Sequence, residues 1–230
     1  MSHVKRVIFI TGTDTNIGKT VLTSLLARRF AAKSIPFAAI KPLCSGGRDD
    51  AAILHALQRD RLSLDEINPW HFRQPVSPFI AARNAGVRIT IRKVVDHIHE
   101  IQSRFPIVIV EGAGGLLSPM GEDFDSRDLI FALKALPVVV SANRLGVVNQ
   151  IRLVIESLPK RAAGTCPVVC FSPKTPDAST SDNMSLLKHY IAAGRIHSLP
   201  WFNWKKEKLN LAVISTLDKL TRNLLSASKL

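Results

Sequence analysis

The residues best suited to chemistry sit in the first turn of the chain. An apolar run, VIFI, gives way to GTDTNIGKT and then to an amphipathic segment. Gly12 and Gly18 permit a sharp backbone turn and close approach to a ligand. The N–H groups of Thr15, Asn16, Ile17, Gly18, Lys19 and Thr20 can then form an anion nest, reinforced by the positive end of the following helix. Lys19 would stand between a β- and a γ-phosphate, and the Thr20 hydroxyl would reach Mg²⁺. Val21 follows directly and completes this contact set. The P-loop template has four residues between its first glycine and Gly-Lys, whereas five separate Gly12 from Gly18. The template therefore fails by one, while the strand–loop–helix context it demands is met. A plain glycine-containing turn with a surface lysine is the competing reading.

Carboxylates follow the same logic, because Mg²⁺ is a hard ion that prefers oxygen. Glu111 comes directly after the apolar run IVIV, at the C-terminal end of a buried strand. Open α/β sheets bind their ligands at such ends. Gly112, Ala113, Gly114 and Gly115 come next and let the backbone approach a phosphate. A strand-end glutamate facing solvent is the alternative. Asp49 and Asp50 precede a helical run; one can cap it while the other reaches the metal. Lys41 ends another strand, and by position alone it reads as a side chain snorkelling to solvent.

These residues need elements to hold them. Short, almost wholly apolar runs fall at residues 7–11, 37–40, 107–110, 138–141, 168–171 and 196–199. Continuous apolar strands imply a sheet covered on both faces. Helical periodicity fills the intervals, with Leu22, Leu25, Leu26 and Phe30 on one face. Further helices are expected at about 50–57, 91–102, 126–133, 147–157 and 182–192, and after residue 208. Alternating strands and helices predict parallel strands joined by right-handed crossovers. The expected architecture is a single α/β domain over residues 1–230. It is P-loop NTPase-like and doubly wound, a mostly parallel sheet with helices on both faces. Residues 59–85 are richer in proline and polar groups and are expected to be an irregular excursion. Residues 173–181, PKTPDASTS, read as a mobile loop.

Composition bounds the function classes. Of 230 residues, 46% are hydrophobic, which supports a sizeable core and excludes disorder. Cys44, Cys166 and Cys170 are too few and too irregular for a disulfide framework, so a reducing cytoplasmic setting is the default. Lys5 and Arg6 ahead of Val7, Ile8, Phe9 and Ile10 resemble the start of a secretory leader. The run is too short for one, and no small-residue cleavage site follows. Nothing approaches the ~20 apolar residues of a membrane span, so no membrane partner is expected. Lys+Arg number 31 against 18 Asp+Glu, a net +13. That balance points to anionic partners (nucleic acid, a membrane surface or nucleotides) or to a bias of the whole proteome.

Taken in order, GTDTNIGKT, AIKPLCSGG, VEGAGG, RLGVVNQ and LPW resemble the dethiobiotin synthetase family. NPWHFRQPVSPFIAA is similar to the family's Asn-Pro, aromatic and Ser-Pro segment. The matches run from Gly12 to Trp201, and the longer loop spacing is the family's own version. The resemblance implies an ATP-dependent cyclo-ligase of biotin biosynthesis with Mg²⁺ as cofactor. Such an enzyme joins 7,8-diaminononanoate and CO₂ through a carbamate and a carbamic-phosphoric anhydride, releasing ADP and phosphate. It further implies that Lys41 is the catalytic lysine, acting with Lys19, and that Thr20, Asp50 and Glu111 hold the metal. Thr15 and Ser45 would meet the diamine. Asn149 would reach the substrate carboxylate from a neighbouring subunit, so a homodimer is expected. Gly112, Ala113, Gly114, Pro200, Trp201 and Phe202 would complete the nucleotide border. Two departures stand out. Where family members often carry an adenine-reading asparagine, this chain has Cys170, Phe171 and Ser172, which predicts weak preference for ATP over CTP. After LPW comes FNWKKEK, unusually aromatic and basic.

Two other function classes compete. A DNA-segregation ATPase of the same superclass would carry a second lysine early in the loop, as in K-G-G-x-G-K-T; Gly12, Thr13, Asp14 and Thr15 supply none. A basic nucleic-acid-binding module would use Trp201, Phe202 and Trp204 beside Lys205, Lys206 and Lys208 as a stacking and phosphate patch. A hydrophobic lid with a solvated charged face is the plainer account of that segment.

Overall fold

A strand whose residues are apolar on both faces must be covered on both, and this requirement shapes the whole chain. A computed structural model describes residues 5–58, 61–204 and 209–227. The chain opens with β1 (Arg6–Gly12), α1 (Lys19–Ala32), β2 (Phe37–Ile40), β3 (Leu43–Ser45), α2 (Asp49–Leu57) and α3 (Leu64–Ile67). It continues with β4 (Trp70–Phe72), α4 (Pro78–Asn84), α5 (Ile91–Arg104), β5 (Ile107–Glu111), α6 (Ser126–Ala132) and β6 (Leu136–Ala142). Then come α7 (Val147–Ser157), α8 (Lys160–Ala163), β7 (Val168–Phe171), α9 (Thr180–Leu187), β8 (Ile196–Leu199) and α10 (Leu211–Ser226).

Six strands form one parallel sheet in the order β2-β5-β1-β6-β7-β8. All five residues of β5 are buried, as are all of β1 after Arg6, so helices cover both faces. The helices do this with spaced apolar residues: Val94, Ile98 and Ile101 on α5, and Val213, Leu217, Leu220 and Leu224 on α10. Arg29 of α1 grips Asp218 of α10 through two hydrogen bonds of 2.7 and 2.5 Å. That pair is partly exposed and is worth at most about 1 kcal/mol, so burial sets the packing.

The strand order reverses at β1, with β5 and β2 on one side and β6 on the other. Such a switch point opens a crevice at the C-terminal strand ends. Register then decides what meets there. Ile10 pairs with Glu111, and Ile40 pairs with Val110. Lys41, one residue beyond Ile40, therefore lies level with Glu111, and the loop after β1 leaves beside both.

The six expected strands form at or within two residues of their expected bounds. Residues 59–85 depart from the irregular excursion: as described, from residue 61 on, they hold α3, β4 and α4. Ser63 and Glu66 close a capping box on α3, and Ser77 caps α4 with Pro78 at its first turn. β4 pairs in parallel with β3 as a separate two-stranded sheet. The helix expected at 182–192 instead starts at Thr180 and ends at Leu187, because its last turn tightens to i→i+3 bonds at Lys188, His189 and Tyr190. The segment 173–181 is tied rather than free. The Asp177 carboxylate accepts from the Leu145 N–H (2.9 Å), the Ser179 N–H (2.9 Å) and the Thr180 hydroxyl (3.0 Å). Lys205, Lys206 and Lys208, expected as part of a basic patch, lie outside the described residues.

Candidate active site

The loop after β1 is built to bend. Asn16 and Gly18 adopt positive φ, 58° and 103°. A Cβ on Gly18 would press 2.8 Å from the Phe171 ring, so glycine is required by packing as well as by backbone conformation. The Ile17 side chain is buried beneath the loop and anchors it. Lys19 arches back, and its ammonium donates to the Asp14 carbonyl at 2.6 Å. The first turn of α1 contains no acidic residue and no side-chain cap, so its N–H groups are left for an anion. The glycine-rich turn after Glu111 is docked onto this loop, the Leu116 N–H donating to the Gly12 carbonyl at 3.2 Å.

Lys41 and Glu111 meet as the register requires. The Lys41 ammonium donates to Glu111 Oε1 at 2.9 Å and also to the Asp50 carboxylate. The Thr20 hydroxyl donates to the same Glu111 oxygen at 2.7 Å. Glu111 is wholly buried, and its Oε2 has no hydrogen-bond partner among the described residues. Backbone contacts fix where Lys41 starts: its N–H donates to the Ile67 carbonyl (3.0 Å), and Asn68 Nδ2 donates to the Lys41 carbonyl (2.7 Å). Burial disfavours the Lys41 charge, but Glu111 and Asp50 outweigh it and hold the pKa above the ordinary lysine value. Lys19 goes the other way. Burial, with the nearby Lys41 charge, lowers its pKa to about 8 despite the Glu111, Asp14 and Asp50 carboxylates.

The donor set fits a hard divalent cation. It offers a hydroxyl and two carboxylates, one with a buried oxygen lacking a hydrogen-bond partner among the described residues. Among the described residues no group of three or more His, Cys, Asp or Glu could hold a metal by itself. Mg²⁺ needs no such group, since it keeps waters and takes phosphate oxygens beside one or two carboxylates. Neither Asp49 nor Asp50 caps α2: the cap position is Arg48, and both aspartates lie in the first turn.

These groups line one cavity of about 780 Å³. Thr15, Asn16, Gly18, Lys19, Thr20, Val21, Lys41, Ser45, Asp50, Glu111, Ala113 and Gly114 all border it. Ile17 and Gly112 do not; Gly112 is packed against Phe9 and Ser126. Ser45 donates to the Val76 carbonyl at 2.5 Å, which sets it against the turn before α4. Pro200, Trp201 and Phe202 lie off the cavity, while Trp204 of the same segment borders it. Phe202 packs on Phe171 at 6.4 Å between ring centroids, and Phe171 in turn backs Gly18. Asn149 is exposed on α7 and is not among the cavity residues. Cys44, Ser77 and Ser118 line the cavity without having been expected there, and Asp49, the alternative to Asp50, borders it as well. The Ser77-Pro78 pair, a helix-start signature, was the one sequence signal for that wall.

Comparison with known proteins agrees with this geometry. A family model described as an AAA domain matches residues 6–204. The ATP-dependent dethiobiotin synthetase BioD of Ralstonia nicotianae is 32% identical over 200 residues, covering 84% of this chain and 87% of that protein. The protein of the same name from Methanocaldococcus jannaschii is 36% identical over 166 residues, covering 70% and 78%. That of Bacillus velezensis is 35% identical over 156 residues, covering 66% and 67%. Among solved structures, the MinD cell division protein of Aquifex aeolicus aligns with a TM-score of 0.56 at 17% identity, covering 98% of this chain and 99% of that one. A ParA bound to nonspecific DNA aligns at 0.58 with 12% identity, covering 96% and 99%. At such identities these two likenesses speak to the fold alone: a doubly wound parallel sheet of the P-loop NTPase type. Among the described residues no helix is long and apolar enough to cross a membrane. With the glycine-flanked loop, the strand-end Lys41 and Glu111, and relatives matched across most of its length, the chain belongs to the dethiobiotin synthetase family.

Proposed function

We propose that this chain is an ATP-dependent cyclo-ligase that closes 7,8-diaminononanoate and CO₂ into the cyclic urea of dethiobiotin. The observation that carries the reading is the meeting of Lys41, Glu111 and Asp50 in the cavity that Lys19 and Thr20 also line. In the reaction, one substrate amine adds to CO₂ and gives a carbamate. A carbamate oxygen attacks the γ-phosphorus and ADP leaves. The second amine then attacks the carbonyl carbon of the mixed anhydride, closing the ring and releasing phosphate.

The chain's own groups suit each step. The loop N–H groups and Lys19 hold the phosphates in line. Lys41 screens the approach of two anions, the carbamate and the γ-phosphate. In the empty site Glu111 and Asp50 favour its charged form, so it meets the incoming anions as a cation. Thr15 and Ser45 orient the diamine. Thr20, Asp50 and Glu111 would hold Mg²⁺, which when bound neutralises charge across the phosphates. Asn149 lies on an exposed helical turn outside the cavity, which fits a residue that serves a neighbouring copy's substrate in a homodimer. Pro200, Trp201 and Phe202 would border the base end of the nucleotide from behind Phe171. The deciding experiment is mass spectrometry of the product formed from diamine, ¹³C-bicarbonate and Mg-ATP. A urea product carrying one ¹³C, with ADP release that needs both diamine and bicarbonate, is expected. Equal ADP release without the diamine would remove the reading.

A further inference from the structure

Two of the three side chains assigned above to the metal, Glu111 and Asp50, already share a cation. The Lys41 ammonium lies 2.9 Å from Glu111 Oε1 and also donates to the Asp50 carboxylate, and Thr20 donates to the same Glu111 oxygen. Glu111 is wholly buried and Lys41 is only 8% exposed, so solvent cannot neutralise the carboxylate in place of the ammonium. A buried carboxylate left without a counter-charge is strongly unfavourable, which is why a cation must stand here when no ligand is bound. A divalent ion drawn to the same oxygens would come within a few ångströms of the lysine charge. Beside the wholly buried Glu111 carboxylate, the repulsion between two cations at this range, at an effective dielectric of ~20, is still several times its value in bulk water. The Lys41 backbone cannot retreat to relieve it, because both its N–H and its carbonyl are held, by Ile67 and Asn68. Only the side chain can move, and it moves readily only toward another anion.

We infer that Lys41 is a placeholder cation that makes the site select the metal–nucleotide complex over the free metal. A free divalent ion offers the displaced ammonium no new partner. The phosphates of an arriving nucleotide offer it one at the same moment that they bring the metal. The inference rests on the metal assignment in the proposed function and adds a specificity role to Lys41 beyond its part in the chemistry.

The test is Mn²⁺ binding, followed by the electron paramagnetic resonance signal of free Mn²⁺, on the full-length protein. Without nucleotide, the unaltered protein should bind Mn²⁺ weakly, and Lys41→Met should bind it more tightly by roughly tenfold or more, the low end for removing one unit charge at this range. Lys41→Gln, which retains an amide donor but carries no charge, should show the same gain and serves if Lys41→Met folds poorly. Adding Asp50→Asn to either variant should abolish the gain, which locates it at the carboxylate pair. With a non-hydrolysable ATP analogue present, the unaltered protein should bind Mn²⁺ tightly. If it does, and neither Lys41 variant gains affinity for the free ion, the placeholder role is overturned while the functional reading stands. If Mn²⁺ fails to join even the nucleotide complex, the metal assignment falls and takes this inference with it.

Discussion

Replacing Gly12 by alanine tests how rigidly the phosphate loop is seated. A Cβ at residue 12 would fall on Ile17 Cδ1 and 2.7 Å from the Val140 carbonyl oxygen, about 0.7 Å short of the 3.4 Å where ordinary contact begins. The two obstacles differ in kind. Ile17 Cδ1 is the far end of a side chain and can turn aside. The Val140 oxygen belongs to the backbone of β6 and accepts the Thr13 N–H at 3.1 Å, the bond that starts the loop. Overpacking of this sort costs about 1–3 kcal/mol, and straining the Thr13 bond adds about 1. We expect Gly12→Ala to lower the urea midpoint by an amount worth about 2–4 kcal/mol. Binding of an ATP analogue, followed by calorimetry, should weaken at least tenfold, because a loop shifted by several tenths of an ångström misplaces its N–H groups. Ile17→Val alone should cost about 1 kcal/mol, and the double variant should remain well below it, since only the Ile17 part of the clash is relieved. If the double variant matched Ile17→Val within about 0.5 kcal/mol, β6 would be yielding freely and the reasoning would fail.

Lys41→Ala should lower kcat by about 10²–10³ while the KM for ATP changes less, as expected for a charge that matters most in the transition state. A retained kcat with raised KM would instead make it a uniform binding group. With Cys170, Phe171 and Ser172 offering no amide at the β7 end, kcat/KM for ATP and CTP should agree within about tenfold; a large ATP preference would refute this. His197 is buried on β8, and burial, aided by the Lys219 charge, lowers its pKa to about 4. The unfolded chain, titrating near 6.5, then binds more protons between those values, so stability falls as pH drops from about 6.5 through 4, by up to about 3 kcal/mol. Urea melts across that range should show the loss, His197→Gln should flatten it, and identical acid profiles would overturn the assignment.

Much of this was legible in the chain because the main strands are continuous apolar runs and the phosphate loop sits between one of them and a periodic helix. What escaped was set by distance. The adjacency of Lys41 and Glu111 depends on β5 inserting between β1 and β2, and no local pattern announces a partner so far along the chain. By position alone Lys41 reads as a solvent-facing lysine, yet it is the most tightly paired cation of the site. β3 and β4 have three residues each, too few for any period to show. The far wall was missed with them, although Ser77-Pro78 carries the signature of a helix start. Three of the five residues from Pro200 to Trp204 are aromatic, so composition could not tell which ring would face inward; Trp204 does, and Trp201 does not.

The strand order also bears on how the protein is made. β1 and β2 share no ladder; each needs β5 as its neighbour. Residues 41–106 separate β2 from β5, about 3–13 s of translation at ~5–20 residues per second. Throughout that interval the growing chain holds two oily strands with open edges and no mate for either. Lys41 and Glu111 cannot meet until the ribosome has released residue 111. A holding chaperone should therefore associate with nascent chains that end before β5, and let go of those that extend past it.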